Sequence, residues 1–214
     1  MYWIAIALVL ILAAGIYYSQ QGNKASTTAV SNTPTNAPAP TFASPTPAPT
    51  TASSLVEPVA NFKQRVTKKP FGIYITPQNS PVQPEKFTGY HTGADAEYGD
   101  VTSDVPVHAV ADGKVLLARW ASGYGGVVAI QHQINGQPVI GIYGHLNPNQ
   151  LPKIGTQVKA GEQIGSLGKA YSHETDGERK HLHFGIVKGT TVNILGYVQT
   201  KAELAKWLDP LTVF

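Results

Sequence analysis

Seven histidines stand in the sequence, at positions 91, 108, 132, 145, 173, 181 and 183, and three of their settings could do chemistry. In His181-Leu182-His183, followed by Phe184-Gly185-Ile186, polar and apolar residues alternate as they do on a strand. Residues i and i+2 then share a face, so two imidazoles stand side by side with Leu182 and Phe184 behind them. Such a pair can bind one metal ion, or divide between a ligand and a base. In His91-Thr92-Gly93-Ala94-Asp95 a histidine and a carboxylate four apart, with a glycine between, can curl round a small cation. An ordinary turn is the other reading of that segment. Tyr143-Gly144-His145-Leu146 closes an apolar run, VIGIYGHL. The chain has no cysteine, so any metal must be held through imidazole nitrogen and carboxylate oxygen. Those donors suit Zn²⁺. His91, Asp95 and one of His181 and His183 make three ligands, the number a catalytic zinc uses when its fourth position stays open to water. Two further histidines remain for proton traffic.

These residues need a rigid scaffold, and the sequence places it in the last three quarters of the chain. Charged residues are 14% of the whole, yet Lys24 is the only one before Glu57. Tyr2 to Tyr18 is an unbroken apolar run of 17 residues, about 26 Å as a helix, close to the roughly 30 Å hydrocarbon core of a bilayer. Trp3, Tyr17 and Tyr18 suit its two interfaces. With no basic residue before the run and no small-residue cleavage site after it, residues 1–22 are expected to be an uncleaved membrane anchor rather than a signal peptide. Residues 23–56 are rich in Pro, Thr, Ala and Ser, with six prolines and one aromatic residue, Phe42. That composition cannot bury enough apolar surface to order itself, and reads as a semi-rigid spacer.

Residues 57–214 are expected to fold as one domain. Short β-rich runs punctuated by glycine predict an all-β, antiparallel sheet or sandwich. Asp112-Gly113 and Asn135-Gly136 mark two hairpins. Only the end looks helical: Thr200 and Glu203 form a capping box, Leu204, Trp207 and Leu208 fall on one helix face, and Asp209-Pro210 stops it. The net charge of +3 is unclustered, which argues against a nucleic-acid partner.

The order H-x-x-x-D, Y-G-H-L, G-x-x-V-x-x-G-x-x-I-G (Gly155 to Gly165) and H-L-H-F resembles the lysostaphin/LytM-type zinc metallopeptidases, which cut peptide bonds in peptidoglycan. The likeness runs from about Gly89 to Lys188 and includes Pro106-Val107 with Ala109 ahead of Asp112-Gly113-Lys114-Val115. It implies that His91, Asp95 and His183 bind Zn²⁺ and that His181 and His145 are the catalytic pair; either could take the proton of the attacking water, and His181, nearer in sequence to the ligand, is assigned that role. It also implies a domain outside the cytoplasmic membrane, with the N-terminus inside and peptidoglycan peptides as substrate. One departure stands out. Gly168 to Lys180, just before H-L-H, is longer and more charged than the family's usual loop, so substrate preference is the least transferable property. His173, Glu174, Asp176 and Glu178 in that loop are read as solvated residues, and His108 and His132 as structural or exposed.

Two other functions fit parts of the sequence. A family relative without catalysis could bind the wall and activate other hydrolases, although all five His and Asp positions are present. A biotinyl- or lipoyl-type carrier has hairpins like Val158 to Gly165, but it needs a modifiable lysine at a hairpin tip, commonly flanked by Met or Asp. The sole methionine is Met1, and Lys114 has the wrong surroundings.

Overall fold

The computed structural model describes residues 55–214. The expected anchor (1–22) and nearly all of the expected spacer (23–56) lie outside the described residues. No described helix is long and apolar enough to cross a membrane.

The domain is all-β and antiparallel, with helices of a single turn. In chain order its elements are α1 (Phe62–Arg65), β1 (Tyr74–Ile75), β2 (Gly89–His91), β3 (Gly93–Glu97), β4 (Pro106–His108), β5 (Gly113–Ala121), β6 (Gly125–Ile134), β7 (Gln137–Leu146), β8 (Gln157–Val158), β9 (Gln163–Ser166), β10 (His181–Lys188), β11 (Tyr197–Val198), α2 (Lys201–Leu204) and β12 (Trp207–Leu208). The main sheet runs β12-β10-β7-β6-β5-β8, and β3 pairs with the free half of β10's outer edge. A small sheet, β1-β2-β11, and a two-stranded ribbon, β4-β9, complete the fold.

Alternation along the long strands sorts the side chains onto two faces. Tyr143 of β7, Val128 and Ile130 of β6 and Leu182, Phe184 and Ile186 of β10 enter the larger core, where Val107, Val115 and Phe62 join them. On the opposite face Ile140, Ile142, Val127, Ala129, Val187 and Trp207 form a smaller cluster. His181 and His183, out of phase with Leu182 and Phe184, fall on this second face. The sheet thus buries a continuous apolar layer behind the two imidazoles.

The hairpin at Asn135-Gly136 forms as expected, with φ of 51° and 73° joining β6 to β7. Asp112-Gly113 does not make a hairpin: β4 pairs with β9, and β5 with β6 and β8. The Asp112 carboxylate accepts from the Ala160 backbone N–H at 2.9 Å and from Lys159 at 2.8 Å, tying this turn to the loop between β8 and β9 instead of folding β4 onto β5. The C-terminal helix is also shorter than expected. Its capping box between Thr200 and Glu203 is present, but α2 ends at Leu204, and Trp207 and Leu208 form a strand against Val187 and Ile186. Burying Trp207 in the second cluster outweighs one more helical turn.

Candidate metal centre

Two strands set the centre of the site. In the β3–β10 register His183 lies opposite Asp95 and His181 opposite Glu97, so the H-x-H of one strand faces the D-x-E of the other. His91 arrives separately, at the end of β2, where the chain leaves the small sheet and enters the main one. The segment is a bend between two strands, not a simple turn. Gly93 inside that bend is required by space, since a Cβ there would stand 2.7 Å from His183 Nε2 and 2.7 Å from the Phe184 carbonyl oxygen.

The result is a buried triangle. His91 Nε2 lies 3.0 Å from His183 Nδ1 and 3.2 Å from Asp95 Oδ1, and His183 Nδ1 lies 3.1 Å from the same oxygen. Among the described residues these three are the only His, Asp or Glu cluster able to hold a metal ion. Hydrogen-bond partners fix the tautomer of His91: its Nδ1 faces the Pro70 carbonyl at 3.2 Å, which can only accept, so Nε2 carries the lone pair. Tetrahedral zinc with bonds of about 2.0–2.1 Å sets its ligand atoms about 3.3 Å apart, so the triangle matches one face of such a tetrahedron. Burial alone would raise the Asp95 carboxyl. With His91, His181 and His183 around it and the Arg179 guanidinium donating to its Oδ2 at 2.8 Å, the carboxyl is nevertheless held well below its ordinary range, hence ionised. Two imidazole nitrogens and one carboxylate oxygen, all buried, fit a zinc ion.

His181 and His145 lie beside the triangle. The His181 Nδ1–H donates to the Arg179 carbonyl at 2.9 Å, leaving Nε2 as a base 3.4 Å from Asp95 Oδ2. The His145 ring sits 4.1 Å from that of His181, centroid to centroid. Simple alternation would put His145 on the Tyr143 side of β7, inside the larger core. A register shift between β6 and β7 pairs Gly126 with Leu146 and Val127 with Gly144, leaving His145 as the extra residue with φ of 63°. This bulge returns Leu146 to the core and turns His145 toward His181. Burial pushes His145 down to about 3 and carries His181 and His183 below the ordinary histidine range, so all three are neutral at neutral pH.

Several residues of the site had not been singled out from the sequence. Arg179, in the long loop before H-L-H, is buried, and its Nη2 donates to Asp95 Oδ2 at 2.8 Å and to Glu97 Oε1 at 2.7 Å. Asp95 and Glu97 two apart on a strand were the available signal. Lys69 is also buried and donates to Glu85 Oε2 at 2.5 Å and to the Tyr197 hydroxyl at 3.1 Å, and no motif marks it. The Tyr197 ring packs on His91 and stacks on Phe87. The long loop is not simply solvated. Asp176 accepts from the Gly123 N–H at 2.7 Å, Glu174 accepts from the Lys169 N–H, and half-buried Glu178 lines the site. His173 does lie exposed, stacked on Trp120. His132 is buried away from the site, between the Asp112 carbonyl and the Tyr143 hydroxyl, and His108 pairs in β4. A cavity of about 360 Å³ opens over Asp95, His145, His181 and His183, walled by Lys69, Phe87, Tyr124, Arg179 and Tyr197.

Residues 89–194 match peptidase family M23. This region of the chain belongs to that family. The chain is 42% identical over 64 residues to the murein hydrolase activator EnvC of Escherichia coli (strain K12), a stretch that is 30% of this chain and 14% of that protein. It is 38% identical over 101 residues, 46% of this chain, to an uncharacterized protein of Haemophilus influenzae, of which it spans 22%. The catalytic domain of the antimicrobial peptidase lysostaphin from Staphylococcus simulans is similar at 23% identity and a TM-score of 0.49, covering 73% of this chain and 97% of that one.

Proposed function

We propose that this M23 domain is a zinc endopeptidase that hydrolyses peptide bonds of peptidoglycan, in stem or cross-link peptides. The observation that carries the reading is the buried triangle of His91, Asp95 and His183, with edges of 3.0–3.2 Å and two neutral imidazoles beside it. A zinc ion held by those three residues supplies Lewis acidity, polarising a scissile carbonyl and making water acidic near neutral pH. His181 takes a proton from the attacking water at Nε2 and delivers it to the leaving amine. His145, with a buried Nδ1 that has no partner among the described residues, accepts a second hydrogen bond from the same water or amine. Arg179 holds the far oxygen of Asp95 and, through its carbonyl, the tautomer of His181.

The apolar run of residues 2–18 and the proline-rich stretch after it fit an anchor and spacer that hold the domain in the wall on the outer side of the cytoplasmic membrane. Purified cell walls cleared by the zinc-loaded chain, and untouched after chelation, test the catalytic reading. Mass spectrometry of the released fragments identifies the bond.

A second reading is favoured by the likeness to a murein hydrolase activator: the domain binds the wall and stimulates other hydrolases without cutting. The complete set of five His and Asp residues supports catalysis instead. A chelated protein that still stimulates a wall hydrolase, together with a zinc-loaded one that releases nothing alone, would decide for the activator.

A further inference from the structure

The peptidase reading leaves one group of the transition state without a partner in the protein. As water adds to a carbonyl carbon, the C=O electron pair moves onto oxygen and charge grows there before the C–N bond breaks. Preorganised donors aimed at that oxygen are commonly the largest protein contribution to the rate. The imidazoles of the site cannot all serve. The N–H of His91 is committed to the Pro70 carbonyl and that of His181 to the Arg179 carbonyl, while His145 is engaged by the Thr175 backbone.

His183 Nε2 is buried without a partner among the described residues, but it packs against Gly93, where a Cβ would stand 2.7 Å from it. A second neutral donor is better placed. The Tyr124 hydroxyl is buried, with no hydrogen-bond partner among the described residues, and its ring lines the cavity over the site. The ring is edge-on to His183 at 5.4 Å and tilted on His145 at 5.6 Å. Its position is enforced. The residue sits at the tip of the β5–β6 hairpin, a Cβ at Gly144 would overlap its ring, and a Cβ at Gly196 would come within 3.2 Å of its hydroxyl. A buried hydroxyl left unpaired costs about 1–3 kcal/mol, and a fold that clamps it there wants a partner that arrives from outside.

We infer that the Tyr124 hydroxyl is a catalytic hydrogen-bond donor to the scissile carbonyl oxygen, paired only when a peptide enters the cavity. It keeps its proton throughout: the water proton travels through His181 to the amine, and Tyr124 only steadies the oxygen. The inference rests on the peptidase reading. It differs from a supporting role, in which the hydroxyl would serve His183 and metal retention.

The test is Tyr124→Phe in the full chain, which removes one oxygen atom. The assays are zinc affinity by chelator competition, the thermal midpoint, and kcat and KM on soluble muropeptides of the host wall. Expected are a fall in kcat of about 10²-fold with KM nearly unchanged, wild-type zinc affinity, and a midpoint equal to or above that of the wild type. A fall in kcat of less than tenfold overturns the inference, as does weakened zinc binding or a lowered midpoint. A wild-type protein that binds zinc and cuts no muropeptide overturns the peptidase reading, and this inference with it.

Discussion

Arg179 and Asp95 divide one carboxylate between two tasks. Arg179 Nη2 holds Oδ2 at 2.8 Å, while Oδ1 faces His91 Nε2 and His183 Nδ1 at 3.2 and 3.1 Å. The guanidinium is fixed in turn by Glu97, which accepts from both Nε and Nη2. The carboxylate oxygen of the candidate metal triangle is therefore aimed by an ion pair reaching in from the long loop, and the residue that aims it also supplies the carbonyl that orients His181.

Replacing Arg179 with Ala frees the Asp95 carboxylate to rotate and leaves Glu97 without its bidentate partner. Loss of such outer support typically weakens metal binding 10- to 100-fold. Competition with a chromophoric chelator should show that loss for R179A, and a smaller one for R179K, which keeps the charge but not the fork. Wild-type affinity in R179A would mean that the ion pair serves only the loop.

Ligands and proton carriers should separate cleanly. H183A should lose both zinc and hydrolysis, because it removes one corner of the triangle. H145A should keep its zinc and lose about 10²- to 10⁴-fold in rate. Metal analysis of the two purified variants beside their rates is the measurement. Equal loss of zinc from both would overturn the assignment.

The sequence reading reached the strand H-L-H and the bend H-T-G-A-D because alternation and close spacing are local properties of the chain. The β-rich class and the Asn135-Gly136 hairpin followed from the same kind of signal. Long-range pairing is not local. Asp112-Gly113 looks like a hairpin until the Asp112 carboxylate is found bonded to the β8–β9 loop, and Trp207 continues a helix pattern until β10 offers it an edge. His145 shows the limit most plainly. Its phase along β7 points it into the core, and one bulged residue, invisible in the spacing, returns it to the site. Arg179 and Lys69 escaped notice because a buried cation is recognised by its partner, and those partners are 84 and 16 residues away.

Gly93 should be indispensable for a reason of space. In Gly93→Ala the new methyl group collides with the His183 ring and the Phe184 carbonyl, which the strand pairing cannot move aside. Zinc affinity should drop at least tenfold. Gly136→Ala is the control: it meets nothing within 4 Å but sits at φ of 73°, so it should cost about 1 kcal/mol of stability and leave the metal site intact. A Gly93→Ala protein with unaltered zinc affinity would show that the bend has more room than its contacts indicate.

Acid should unfold the metal-free domain well before its carboxylates titrate. His132, His145, His181 and His183 are all shifted below the ordinary histidine range, chiefly by burial. In the unfolded chain each takes up a proton near pH 6.5, whereas the folded chain does not until its lower pKa is reached. Between those limits the unfolded state binds more protons, so stability falls as pH falls, by about 1.4 kcal/mol per pH unit for each such histidine. Asp95 and Glu85 are shifted down as well. Their contributions are present above the ordinary carboxyl range and disappear only as pH drops through and below it. Urea unfolding of chelator-treated protein should therefore give a stability that decreases steadily from pH 7 to pH 5. His132 lies outside the metal centre, so His132→Gln should make that slope shallower by one proton without touching zinc binding. A stability that is flat or rising over this interval would mean that the buried imidazoles are already charged in the folded domain.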